Sequence, residues 1–160
     1  MSLDEPAHDE KALTLIPADV KDRALLSRLR APRSLARFVH WNDFWLDRSS
    51  KDPNIRMFLV REGGQQTPVG CVAIGPHEAV DLDHHSRVPG VDEIYHLVID
   101  RAHVRRGYGA GTVRLAVEEM RRRNSQLAAV RLAHHPDNFA AESLYSKLGF
   151  MAVEIGRAHV

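Results

Sequence analysis

One stretch of this chain carries residue types whose spacing could do chemistry: Val104-Arg105-Arg106-Gly107-Tyr108-Gly109-Ala110-Gly111, three alternate glycines beside two arginines. It runs directly into a helical pattern without a proline. Glycine lacks Cβ, so the backbone can bend into conformations closed to other residues and press its N–H groups against a bulky anion. A helix that starts there adds donors, because its first N–H groups have no intrahelical partner and its dipole puts partial positive charge at that end. The arrangement reads as a diphosphate cradle. A tight turn capping a helix is the plainer alternative.

Two common phosphate ligands do not fit. A dinucleotide fingerprint needs Gly-x-Gly-x-x-Gly immediately after a strand and an acid roughly 20 positions later. Here Thr112 stands at the last glycine position, seven residues separate Ile99 from Gly107, and Asn124 to Leu132 contain no carboxylate. A nucleotide loop of the Gly-Lys-Ser/Thr kind is missing its lysine and hydroxyl.

What remains, Arg106-x-x-Gly109-x-Gly111 after a hydrophobic strand, resembles the acetyl-CoA loop of the GCN5-related N-acetyltransferases (GNAT). Ile94-Tyr95-His96-Leu97-Val98-Ile99-Asp100 is similar to that family's central strand. Asn138-Phe139-Ala140-Ala141-Glu142-Ser143-Leu144-Tyr145-Ser146-Lys147-Leu148-Gly149-Phe150 resembles its signature Asn-x-x-Ala-x-x-Leu-Tyr-x-Lys-x-Gly-Phe. The resemblance spans Glu93 to Phe150. It implies an α/β (α+β) fold of the GNAT type: a mixed, mostly antiparallel sheet of about six or seven strands flanked by about four helices.

The resemblance also implies roles. Arg105, Arg106, Gly107, Tyr108, Gly109, Ala110 and Gly111 would hold the pyrophosphate of acetyl-CoA. Leu97, Val98 and Ile99 would hydrogen-bond its pantetheine arm like an added strand, with an N–H near Val98 facing the thioester carbonyl. Tyr145 aligns with the catalytic tyrosine, and a phenol with a pKa near ~10 can protonate a departing thiolate while staying neutral at pH 7. A core aromatic is the other reading, since Leu144 and Leu148 share its stripe. Asn138 matches the cofactor-side asparagine and also suits a helix N-cap. Glu93 stands where some members carry a general base; His96 is its rival, placed by strict alternation on the opposite strand face. A water or no dedicated base is the third option.

Other segments must position these residues. Ala12 to Ile16 reads as a strand ended by Pro17, followed by helices from Ala18 to Arg30 and from Ser34 to Asp47. Ile55 to Arg61 and Pro68 to Ile74 read as antiparallel strands joined by the Glu62-Gly63-Gly64-Gln65-Gln66 turn. Gly75 to Asp92 reads as a loop. After the glycines, Val113, Ala116, Val117 and Met120 give one buried helical stripe, with Arg114, Glu118, Arg121 and Arg122 toward water. Ala128 to Ala133 is the next strand and Phe139 to Leu148 the last helix, ended by a left-handed Gly149. Ten residues follow Phe150. Either the final strand is very short or a second subunit completes the sheet edge as a homodimer.

The 160 residues and 44% hydrophobic content fit one domain over 11–160 behind a loose polar segment, 1–10. A net charge of +1 favours neither nucleic acid nor an anionic membrane. Arg23, Arg28, Arg30, Arg33 and Arg37 interleave with leucines, as on solvated helix faces. Cys71, the only cysteine, lies in an apolar run and reads as an inert core thiol in a cytoplasmic protein. The ten histidines, including His84-His85 and His134-His135, show no chelating pattern, so no metal is expected. For the acceptor, Phe38, Trp41, Phe44 and Trp45 with Asp43 and Asp47 suit a small cationic amine, polyamine-like or amino-acid-like. A protein N-terminus as acceptor, or a non-catalytic acetyl-CoA-binding module, are the alternative functions.

Overall fold

The computed structural model describes residues 13–33, 42–80, 85–104, 106–133 and 138–152. Five strands form a single sheet in the order β1 (Leu13–Pro17), β2 (Arg56–Glu62), β3 (Gly70–Val80), β4 (His85–Ile99) and β5 (Ala129–Leu132). All neighbours are antiparallel except β4 and β5. Four helices lie among the described residues: α1 (Arg23–Arg28), α2 (Asn42–Lys51), α3 (Tyr108–Arg123) and α4 (Phe139–Lys147). A sixth or seventh strand would fall in 153–160, outside the described residues. None of the described helices is long and apolar enough to cross a membrane.

Strand alternation divides the core between the two sheet faces. Phe58 and Val60 of β2, Val72 and Ile74 of β3, and Ile94 of β4 pack with Val113, Ala116 and Met120 of α3. Met57, Leu59, Cys71, Ala73 and Val98 face the other way, against Leu26, Leu29 and Leu46 of the α1 and α2 side. A strand buried on both faces reads as an unbroken apolar run, as Met57-Phe58-Leu59-Val60 does. Cys71 is buried here, and loss of solvation pushes its thiol up to about 12.

Gly75 to Val80 and His85 to Asp92, read from sequence as loop, are instead paired strands, the ends of β3 and β4. Pro76 pairs with Asp92 and Glu78 with Arg87, so Val88, Pro89, Gly90 and Val91 oppose only His77. Proline and glycine, read from sequence as loop punctuation, sit inside a bulge where the ladder makes no demand on them. The helix expected from Ala18 to Arg30 is likewise divided. Asp19 and Asp22 form a reciprocal capping box around a short 3-10 turn, Val20–Asp22, and α1 restarts at Arg23. The next helix continues past Asp47 to Lys51; its expected first half, with Phe38 and Trp41, lies outside the described residues.

Helix α3 is tied to β2 at both ends of that strand. Tyr108 donates its hydroxyl to Glu62 Oε2 at 2.6 Å, and the buried Glu119 pairs with Arg56. These two contacts aim the helix N-terminus at one end of the sheet. On the opposite face, Asn42 braces three partners: its amide donates to Leu26 O at 2.7 Å, while Oδ1 accepts from His96 Nε2 at 2.7 Å and Cys71 Sγ at 3.4 Å. Replacing Asn42 by alanine strands those groups in a buried setting. Urea denaturation is expected to show a loss of about 1–3 kcal/mol; an unchanged midpoint and slope would show that the brace does not contribute.

Candidate active site

Pairing between β4 and β5 covers only Val91 to Ile94 against Ala129 to Leu132. Beyond Ile94, no strand among the described residues pairs with that side of β4. The β3 side stays paired as far as Gly70 and Ile99, with Asp100 N–H donating to Val69 O at 2.8 Å. Antiparallel ladders alternate inward and outward amides, so this bond sets the phase. Val98 N–H points into the sheet toward Cys71, and Leu97 and Ile99 direct theirs to the open edge. Near Val98, the outward-facing donors are therefore those of Leu97 and Ile99.

The glycine loop borders the same cluster. Gly107 is the N-cap of α3 with φ +80°, a left-handed backbone that suits glycine. The first helical hydrogen bond runs from Gly111 N–H to Gly107 O at 3.0 Å. Tyr108, Gly109 and Ala110 thus have N–H groups with no carbonyl to reach inside the helix. A Cβ on Gly107 would meet nothing within 4 Å, so the cap faces open space. Arg106 is exposed beside it, Ala110 is half-buried and Gly111 buried. Arg105 lies outside the described residues. The Tyr108 side chain is buried with its hydroxyl on Glu62, which leaves its backbone N–H, the group expected to serve the loop, at the start of the helix. Open donors, a helix terminus and an unpaired strand edge fit a pyrophosphate with an extended amide-bearing arm.

Helix α4 closes the cluster. Asn138 Oδ1 accepts from Ala141 N–H at 3.1 Å, so its carbonyl is spent as N-cap and its amide is the group left for a ligand. At the other end, Phe150 N–H reaches Tyr145 O and Gly149 N–H reaches Ser146 O, both at 3.0 Å, with Gly149 at φ +94°. This is a Schellman closure. It folds Phe150 back onto the Tyr145 ring, with centroids 6.1 Å apart and edge to face. Tyr145 packs on the core that holds Leu97 and Ile99, and burial raises its pKa. Its neighbour Leu144 has Cδ2 3.2 Å from where a Gly109 Cβ would stand.

A second bulge changes the base assignment. Ala73 pairs with His96 and Ile74 with Ile94, leaving Tyr95 as an extra residue. Strand parity flips there. Ile94 packs toward α3, whereas Tyr95 and His96 both face α2, where Trp45 stacks on Tyr95 with centroids 5.0 Å apart. Glu93 and His96 consequently share a face, against strict alternation. His96 is buried on Asn42 Oδ1. Glu93 keeps a quarter of its side chain exposed, at 25%, and bonds to His77 Nδ1 at 3.1 Å; His77 Nε2 in turn meets Arg131 Nη1 at 3.1 Å. Sequence reasoning misses His77 because Gly75 to Asp92 reads as a loop, and Arg131, on an expected strand, because the pairing of that strand with Glu93 is not visible in the sequence. Recognising a hairpin there would place His77 diagonally from Glu93.

The expected cation cage is largely spent within the protein. Arg23 lies 3.2 Å from Asp43 and 2.6 Å from Asp47, and Arg48 covers Phe44 and Trp45 at 5.8 and 5.9 Å.

The sequence matches the model of the acetyltransferase (GNAT) family over residues 23–150, and the chain belongs to that family. It is accordingly an acyltransferase whose donor is acetyl-CoA. No curated protein matches it. Among solved structures, it resembles an acetyltransferase from Thermus thermophilus with TM-score 0.67 and 23% identity, covering 91% of each chain. It also resembles an aminoglycoside antibiotic 6'-N-acetyltransferase from Acinetobacter haemolyticus (TM-score 0.65, 14% identity, 89% of this chain and 93% of that one). A ribosomal-protein-alanine N-acetyltransferase from Brucella melitensis biovar Abortus 2308 gives TM-score 0.62 at 14% identity, over 90% of this chain and 95% of that one. At these identities the likeness is one of fold.

Gly109→Asp tests the loop. The Cβ needs only a small movement of the flexible Leu144 tip, so the variant should fold, while its carboxylate enters the anion cradle. Calorimetry is expected to detect no acetyl-CoA binding by a variant with near-native melting; retained affinity would remove the loop assignment.

Proposed function

We propose that this chain moves the acetyl group of acetyl-CoA directly to a primary amine, with Glu93 as general base and Tyr145 as general acid. The observation that carries the reading is the opening where β5 stops at Leu132. The N-terminus of α3 and the Tyr145 helix lie on one face of the sheet at that opening, and Glu93 lies on the other. Donor and acceptor would thus enter from opposite faces and meet at the outward amides of Leu97 and Ile99.

When bound, acetyl-CoA supplies a thioester carbon for the amine to attack. The chain's own groups supply the rest. The α3 amides hold the pyrophosphate, and an outward β4 amide meets charge developing on the carbonyl oxygen. Glu93 removes the ammonium proton, directly or through a water, and Tyr145 returns one to the departing sulfur. Desolvation keeps the Tyr145 phenol protonated beyond the ordinary tyrosine range.

The acceptor is read as a small cationic primary amine. Asp43 and Asp47 both face Arg23, whereas Glu93, Glu78, Asp52 and Asp92 together make the region around Tyr95 acidic.

Thiol release from acetyl-CoA, measured against amino acids, aminoglycosides, polyamines and peptides, tests this function. Tyr145→Phe is expected to lower kcat by about a hundredfold or more with little change in acetyl-CoA affinity. Because the raised Tyr145 pKa keeps its proton in place, the wild-type kcat profile should rise with pH and show no descending limb below about pH 10. No turnover with any amine, or equal turnover in the variant, would contradict the assignment.

A further inference from the structure

We propose that His77 is a positioning residue for Glu93, locked by Arg131 in the tautomer that carries its proton on Nδ1. The inference rests on the reading of Glu93 as the base. A guanidinium has donors and no acceptor, so the 3.1 Å contact between Arg131 Nη1 and His77 Nε2 requires Nε2 to accept. A neutral imidazole has one proton, which must then sit on Nδ1 and be donated to Glu93 Oε1 at 3.1 Å. Both ring nitrogens are thereby used, and His77 is only 7% exposed. Protonating Nε2 would set a second donor against the guanidinium.

Three adjacent strands build the arrangement. Glu93 of β4 is paired with Gly75 of β3 on one side and Arg131 of β5 on the other, and the bulge carries His77 to the carboxylate. Glu93, Glu78, Asp52 and Asp92 all act on the nearby Tyr95 phenol, and Arg131 is the cation in contact with His77. The Nδ1–H bond fixes Oε1, so Oε2 is presented to the acceptor. His77 itself exchanges no proton with substrate.

Glu93→Gln, His77→Leu and His77→Asn are compared in the thiol-release assay with the best amine of the panel. His77→Leu removes the donor. It is expected to lower kcat about tenfold to a hundredfold and leave KM for acetyl-CoA unchanged. His77→Asn, whose amide N–H falls near the Nδ1 position, should restore most of kcat. In the wild-type protein, ¹⁵N NMR should show Nδ1 protonated and Nε2 unprotonated, a readout that needs neither an acceptor nor a folded leucine variant. Unchanged kinetics in His77→Leu while Glu93→Gln is inactive, or an Nε2–H tautomer, would overturn the positioning role alone. Unchanged activity in Glu93→Gln would remove the base reading and this inference with it.

Discussion

The constraint on which the rest of the molecule depends is that, among the described residues, β4 is paired on both sides over only part of its length. Its ladder to β3 persists to Ile99, whereas its ladder to β5 ends at Ile94. An unpaired strand edge in a protein interior is costly unless something satisfies it. Under the proposed function, the outward amides hold an extended, amide-bearing ligand. In the proposed function, two reactants approach this strand from the two faces of the sheet.

The bulge at Tyr95 works with that opening. One extra residue rotates the strand by half its side-chain period, which sends Tyr95 and His96 together toward α2. His96 is absorbed by the Asn42 brace, and Tyr95 by Trp45 and the Pro76 carbonyl. Glu93, just before the bulge, is left at the rim. The histidine beside it in space is His77, sixteen positions away in the chain.

Charge is distributed with similar economy. Arg23 answers Asp43 and Asp47, Arg56 answers Glu119, and Arg131 meets His77 Nε2. Exposed pairs such as Arg23 with the two aspartates add little to stability. Their consequence lies in recognition, because carboxylates already facing a guanidinium are poor seats for an incoming cation.

Local interactions explain what was legible in the sequence. The glycine loop, the apolar strands around Phe58 and Val72, the α3 stripe, the Asn138 cap and the Gly149 terminator each depend on residues within a few positions of one another. Backbone conformation and periodicity declare them directly, and the family signature combined two of them. The tertiary structure decided where Tyr108 turns its side chain, which strand amides face outward, that Gly75 to Val80 and His85 to Asp92 are paired strands, and which histidine meets Glu93. Those outcomes depend on register between strands distant in sequence. A bulge of one residue changes which side chains share a face, and its effect is expressed only once the neighbouring strands have paired.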